Sequence, residues 1–240
     1  MHPSREHQHL PELVRTYLAR SLRGDGALPA AVRVKQAGEM RRKPGARPLR
    51  FTATEHFAVD RVGFAWRASF PLVGPLAMTV VDQLAEGKGQ LRVSLLGLPL
   101  QTQTGPETTV GEAMRYLAEL VWAPPAITAN RALGWRELDE RALEVTASVP
   151  ARVAVRWRFD DNGDLLEATG ELPFPVGKSF VSRLWGGRFG EYASFGGVRA
   201  PTNGEAWWQL PEGRFVYWRA RVTALDLLEP AKDLTDRRSG

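Results

Sequence analysis

The stretch "ARVAVRWRFDDNGDLLEATGEL", Ala151 to Leu172, decides how the chain folds. Two runs of alternating apolar and polar residues flank Asn162-Gly163. That dipeptide tolerates positive φ at both central positions of a two-residue hairpin turn. A turn there sets Phe159 opposite Leu166, Trp157 opposite Ala168, Val155 opposite Gly170 and Val153 opposite Leu172, all on one face. The other face sets Arg158 against Glu167, Arg156 against Thr169 and Ala154 against Glu171. Apolar pairs collect on one side and opposite charges meet on the other, so turn chemistry and side-chain pattern agree.

The same period of two extends outward. In "FAWRASF", Phe64, Trp66, Ala68 and Phe70 share a face, and Ala65, Arg67 and Ser69 share the other. A turn is expected within "AEGKGQ", after which "LRVSLLGLPLQTQTG" continues as strand with Leu91, Val93 and Leu95 on one face. A last hairpin, "EAWWQLPEGRFVYWRARVTALDLL", turns around Glu212-Gly213.

Helical spacing occurs in two places. Leu13, Val14, Tyr17, Leu18 and Leu22, with Pro11 ahead and Gly24 behind, predict a helix over 11–21. In "MRYLAELVWAPPAITAN", Met114, Leu117, Ala118 and Val121 form an apolar stripe, and Glu112, Arg115 and Glu119 a polar one. Thr109 is the expected N-cap, with Glu112 at capping-box spacing, and Pro124 and Pro125 end the helix. The fold class expected is mainly β (α+β): a strongly curved antiparallel sheet, or open half-barrel, with covering helices. A helical segment at 1–27 precedes a single half-barrel domain at 28–228, with an inserted helix at about 108–122 and a mobile tail at 229–240.

Charge is unevenly spread. The 240-residue chain has 32 Lys and Arg against 27 Asp and Glu, a net of +5, yet residues 1–47 alone carry ten against four, a net of +6. That basic segment fits an edge strand kept from unwanted pairing by its cations, or weak contact of residues 33–50 with an anionic membrane. The remainder is nearly neutral and has no RNP-type motif, which argues against nucleic acid. With no cysteine there is no thiol chemistry. No apolar leader is recognisable, so a soluble, cytoplasmic protein is expected.

Catalytic templates fail. His2, His7 and His9 crowd the N-terminus and His56 stands alone in a strand. "GELPFPVGKS" ends like a phosphate loop, but Leu172 replaces the required glycine, and Pro173 and Pro175 remove amides. No metal or cofactor is expected. If chemistry occurs, Glu119 and Glu171 are the carboxylates to consider as acid or base.

Binding residues are easier to nominate. Arg115 and Glu119 form either a solvated pair worth about 0.3 kcal/mol, or a latch facing sheet residues such as Glu171 or Arg183. Trp122 is either a plug or core. The glycine-rich segment Leu184 to Trp208 either lines a ligand mouth or folds back as strands completing the sheet.

In order, "RYLAELVWAPPAI", "LGWRELDE", "VRWRFDDNGDL", "RFGEYASFGGVRAPT" and "YWRARV" resemble an uncharacterised bacterial family known only as a domain of unknown function, over residues 30–227. That family is similar in architecture to Lol-type outer-membrane lipoprotein carriers, open β-barrels with an apolar cavity under helical lids. The resemblance implies binding of an acyl chain or other hydrophobic or amphipathic small molecule. Lol-type carriers are exported, a point at which this sequence, without a recognisable leader, departs from them. Arg115, Tyr116, Glu119 and Trp122 are then expected at the lid, and Arg183, Trp185 and Tyr192 at the mouth. A cofactor-independent hydrolase or isomerase in the same cavity is the enzymatic alternative, and a peripheral membrane or nucleic-acid adaptor the third.

Overall fold

The computed structural model describes residues 9–23, 27–74, 76–177 and 179–229. His2, His7, Gly24 and the tail beyond 229 lie outside them. The first helix, α1 (Glu12–Ser21), forms where its spacing predicts. Then come β1 (Ala31–Met40), β2 (Leu49–Ala58), β3 (Phe64–Pro71), β4 (Ala77–Ala85), β5 (Lys88–Leu95) and β6 (Leu98–Thr104). Helix α2 (Pro106–Glu119), a 3-10 turn (Leu120–Trp122) and α3 (Pro124–Ala129) follow. The remaining strands are β7 (Leu133–Asp139), β8 (Ala142–Ala147), β9 (Val153–Phe159), β10 (Leu165–Val176), β11 (Ser179–Phe195), β12 (Val198–Leu210) and β13 (Gly213–Leu228).

These strands make one 13-stranded antiparallel sheet in the order β6-β5-β4-β3-β2-β1-β13-β12-β11-β10-β9-β8-β7. It consists of two meanders, β1 to β6 and β7 to β13, joined where β1 pairs with β13, from Ala31 opposite Leu228 to Met40 opposite Trp218. Helix α2 touches β4, β5 and β6 on one flank and β8, β9 and β10 on the other. The sheet therefore curls round the helix as an open half-barrel, as the alternation of its strands requires.

That alternation is visible in burial. Phe64, Trp66, Ala68 and Phe70 of β3 are buried and the residues between them are not; Phe51, Ala53, Glu55 and Phe57 repeat the pattern on β2. Against this face pack Tyr17 of α1, Met114 and Leu117 of α2, and Leu120, Val121 and Trp122 beyond it. Burying such large side chains contributes about 1.5–3 kcal/mol each. The polar tips of the aromatics close the ends of the helical layer: Trp157 Nε1 donates to Leu117 O at 3.2 Å, and Tyr17 Oη to Val121 O at 2.9 Å. Both acceptors are carbonyls at the end of the helical run, which would otherwise be buried without donors.

Several local expectations need correction. The hairpin between β9 and β10 has a longer loop than Asn162-Gly163 alone: Asp160 N donates to Asp164 O, Gly163 N donates to Asp160 O, and Gly163 has φ 79°. The added residue shifts Phe159 opposite Leu165, and a bulge before Glu167 restores Trp157 opposite Ala168 and Arg158 opposite Glu167. The run from Leu91 to Gly105 is two strands, because Leu96 and Gly97 form a turn with φ of 51° and 82°. The last hairpin turns at Pro211-Glu212, with Leu210 opposite Gly213. Thr109 lies inside α2 rather than capping it. Its Oγ1 donates to Gly105 O and accepts from Gly89 N, which ties the helix to β5. Pro124 and Pro125 open α3, where their missing N–H groups cost nothing. Of the two readings of Leu184 to Trp208, strands hold: the segment forms most of β11 and β12.

Candidate functional site

The polar stripe of α2 faces the sheet. Arg115 donates from Nη2 to Glu55 Oε1 on β2 at 3.1 Å, from Nη1 to Asp82 Oδ2 on β4 at 2.6 Å, and from Nε to Glu119 Oε1 at 3.0 Å. Its guanidinium also lies 4.8 Å from the Phe64 ring centre and 5.2 Å from that of Trp66. The partners foreseen from sequence, Glu171 and Arg183, do not take part: Glu171 is exposed and accepts from Ser182 Oγ. Gln36 extends the cluster, donating to Glu55 Oε2 and accepting from Trp66 Nε1.

The cluster holds more acids than bases. Glu55, Asp82, Glu112 and Glu119 surround one arginine. Burial, then the charge of Glu119, holds Glu55 well above the usual carboxylate range against the pull of Arg115. Burial, then Asp82, does the same for Glu112. Each raised glutamate thus has an acidic neighbour, Glu119 beside Glu55 and Asp82 beside Glu112. Among the described residues, Asp82 Oδ1 and Glu119 Oε2 are buried without a donor.

The other residues singled out from sequence are dispersed. Tyr116 is buried, donating to Ala58 O and accepting from Asn130 Nδ2. Trp122 is core: its Nε1 donates to Pro201 O, and its ring meets Phe189 edge-on at 5.4 Å. Trp185 is also buried and donates to Tyr217 Oη. Tyr192 donates to Leu165 O beneath the guanidinium of Arg199. Arg183 lies over Phe174 at 4.9 Å. Nine residues separate Arg183 from Tyr192 along β11, about 30 Å of strand, so these three side chains do not form one mouth. His56 is exposed, with its pKa lowered by partial burial and by Arg33.

Two of the surface openings bear on these residues or could hold a ligand. A cleft of about 130 Å³ lies between α2 and the β10–β11 hairpin, lined by Glu112, Leu91, Leu172 and Phe180 among others. The larger is a groove of about 1020 Å³ on the face opposite the helices, crossing β3, β2, β1, β13, β12 and β11. Its floor is made of small outward residues, Ala37, Thr52, Ser69 and Gly190, and its sides of long ones, Arg50, Arg188, Arg219 and Arg221. Arg219 pairs with Glu205 at 3.2 Å and Arg221 with Glu191 at 3.4 Å. Arg50 and Arg188 have no ion-pair partner among the described residues. From behind, Trp122 packs onto Gly204, where an added Cβ would lie 2.8 Å from the ring. Sequence reading missed this groove because small and cationic residues alternating with core residues look like an ordinary solvated face.

Among the described residues no group of three or more His, Asp or Glu is arranged to hold a metal ion, and no helix is long and apolar enough to cross a membrane.

Sheet, filled concavity and outer groove together define an open antiparallel half-barrel packed around its own helices. The chain belongs to DUF6544, a family of unknown function, whose profile matches residues 2–220. No curated protein sequence matches it. Among solved structures it is similar to an outer membrane lipoprotein-sorting protein domain from Vibrio parahaemolyticus, at 12% identity and a TM-score of 0.50 over 92% of this chain and 93% of that one. It is also similar to a LolA superfamily protein from Nitrosomonas europaea, at 10% identity and 0.48 over 91% and 93%. A DUF1329 family protein from Desulfovibrio piger gives 13% and 0.45 over 83% and 86%. At such identities the Vibrio structure shows a shared fold.

Proposed function

We propose that the protein binds an amphipathic small molecule, an acyl chain or similar apolar body with an anionic head, in the groove opposite the helices. The observation that carries this reading is the groove itself: large, floored by small residues and flanked by Arg50 and Arg188. Arginine stems and Ala37, Pro71 and threonine methyls offer apolar contact, and the two guanidiniums orient the head. The lipoprotein-sorting description of the Vibrio structure, which shares the fold, agrees with an acyl ligand.

A second reading keeps the ligand on the helix side, with Arg115, Tyr116, Glu119 and Trp122 as contacts once α2 lifts. The cleft beside Glu112 favours it, since Leu172 in its wall stands opposite Arg183, whose Nε is buried without a partner among the described residues. A photoactivatable fatty acid separates the two. Label in peptides of β1, β2 and β13, lost in the Arg50→Ala, Arg188→Ala double variant, supports the groove. Label in α2 and β10 that survives this variant overturns it.

A further inference from the structure

In an antiparallel meander, alternate turns lie at the same end of the sheet. The turns after β1, β3 and β5 share one end of the first meander with the turn after β12, and those after β2 and β4 lie at the other. The large exposed apolar residues are unevenly divided between the ends. The β3–β4 turn carries Leu72, Val73 and Leu76, with Val73 at 79% exposure. The adjacent β5–β6 turn carries Leu96 and Leu98, at 68% and 70%. The curl of the sheet carries the tips of the second meander away from this end: Pro150 of the β8–β9 turn meets Gly87 of the β4–β5 turn, and Phe180 of the β10–β11 hairpin shares a cleft with Glu107 at the start of α2. At the opposite end of their own strands, the chain entering β1 carries Leu28 and β13 carries Leu227.

Leu96 sharpens the contrast. It occupies the left-handed region, φ 51°, in a two-residue turn where asparagine or glycine fits with less strain. Its side chain is out in solvent, so its presence there gains nothing for folding. Beside these apolar tips projects the β1–β2 loop, in which Arg42, Lys43 and Arg47 are exposed. The acidic residues of this end are Glu39, paired with Arg41 at 3.2 Å, and Glu212. The rim is thus apolar at its tips and cationic beside them.

We propose that this rim docks the protein onto an anionic lipid bilayer, with the tips of the β3–β4 and β5–β6 turns entering the interface and the β1–β2 loop resting on the headgroups. Apolar insertion and cation attraction each contribute modestly and act together. Arg50 and Pro71 of the groove lie at this same end of their strands, so docking brings the groove to the bilayer. This inference goes beyond ligand binding in the groove and does not depend on it.

The test is co-sedimentation of the full chain with vesicles of phosphatidylcholine alone and with phosphatidylglycerol added, across a salt series. Binding to the anionic vesicles, weakened by salt and reduced at least tenfold in both the Val73→Ser, Leu98→Ser double variant and Arg42→Glu, is expected. Because these positions are exposed, the variants fold, as their circular dichroism and melting checks. No binding to anionic vesicles overturns the proposal, and so does binding that the rim variants leave intact. Concentration-dependent dimers abolished by Val73→Ser, Leu98→Ser, without vesicle binding, would assign the rim to a second copy and likewise overturn it. The Arg50→Ala, Arg188→Ala variant keeps vesicle binding if the rim acts alone, which separates failure here from failure of the groove.

Discussion

Arg115 and Glu55 are 60 positions apart in the chain and 3.1 Å apart in space, on α2 and β2, in a site where Glu55 is wholly buried. That contact links the one long helix to the first meander. Asp82 and Glu119 complete it, so the guanidinium holds three elements in register.

Removing the cation leaves buried carboxylates without compensation. Arg115→Met is expected to cost about 3–5 kcal/mol, with Arg115→Lys intermediate because an ammonium cannot reproduce the planar fork. Urea denaturation followed by tryptophan fluorescence measures both. A loss below about 1 kcal/mol, the range of a surface pair, would refute the buried latch.

The raised carboxyls give stability a defined pH dependence. Below the ordinary glutamate range, Glu55 and Glu112 are protonated in both states and their contribution is fully present. As pH rises, the unfolded chain releases these protons first, so stability falls between the ordinary value and the raised ones. Asp164 acts in the opposite sense. Burial alone would raise its pKa, but hydrogen bonds from Arg199 and Arg20 lower it, and the stability it provides is lost as pH falls. Stability is therefore expected to peak at mildly acidic pH, and Glu55→Gln to flatten the decline above it. An unchanged slope in that variant would place the protons elsewhere.

Gly204 is required by Trp122, and a methyl group there forces the indole or β12 to move. Gly204→Ala is expected to lose about 1–3 kcal/mol by overpacking and to shift tryptophan emission. Gly190, whose added Cβ would meet nothing within 4 Å and whose φ is not positive, is the control for a substitution without a neighbour.

Leu96→Asn should raise stability by up to about 1 kcal/mol by relieving the left-handed strain, and lower vesicle binding at the same time. Thermal melts and co-sedimentation of one preparation read the two effects. A variant that is both less stable and bound as before would contradict the reading of this turn.

Much of the sheet was legible because alternation is a local property. Phe64 to Phe70 announced its buried face, and the loop at Asp160 to Asp164 was found within one residue. The β5–β6 turn was missed because Leu96 takes a conformation leucine rarely adopts, and no neighbouring residue signals it. The latch was half legible: the stripe of Glu112, Arg115 and Glu119 could be read from helical spacing. Its partners could not, since Glu55 and Asp82 arrive through strand register. Trp122, Trp185, Tyr116 and Tyr192 were marked for their aromatic character, and the structure sets each on a hydrogen bond within the fold. The groove escaped because what makes it is the smallness of Ala37, Thr52, Ser69 and Gly190 on neighbouring strands, a relation between positions far apart in the chain.

The pairing of β1 with β13 also has a consequence for biosynthesis. Strand β1 leaves the ribosome early, and β2 covers only one of its edges. Its other edge waits while nearly two hundred residues are translated, until Leu225 to Leu228 arrive opposite Ala31 to Val34. A nascent chain with an unpaired, half-apolar strand at its centre is open to pairing with its neighbours on the polysome. Closure of the seam is a long-range step that slows folding. A premature stop within β13 would therefore remove more than one strand: it would leave β1 exposed as a new edge at the middle of the sheet.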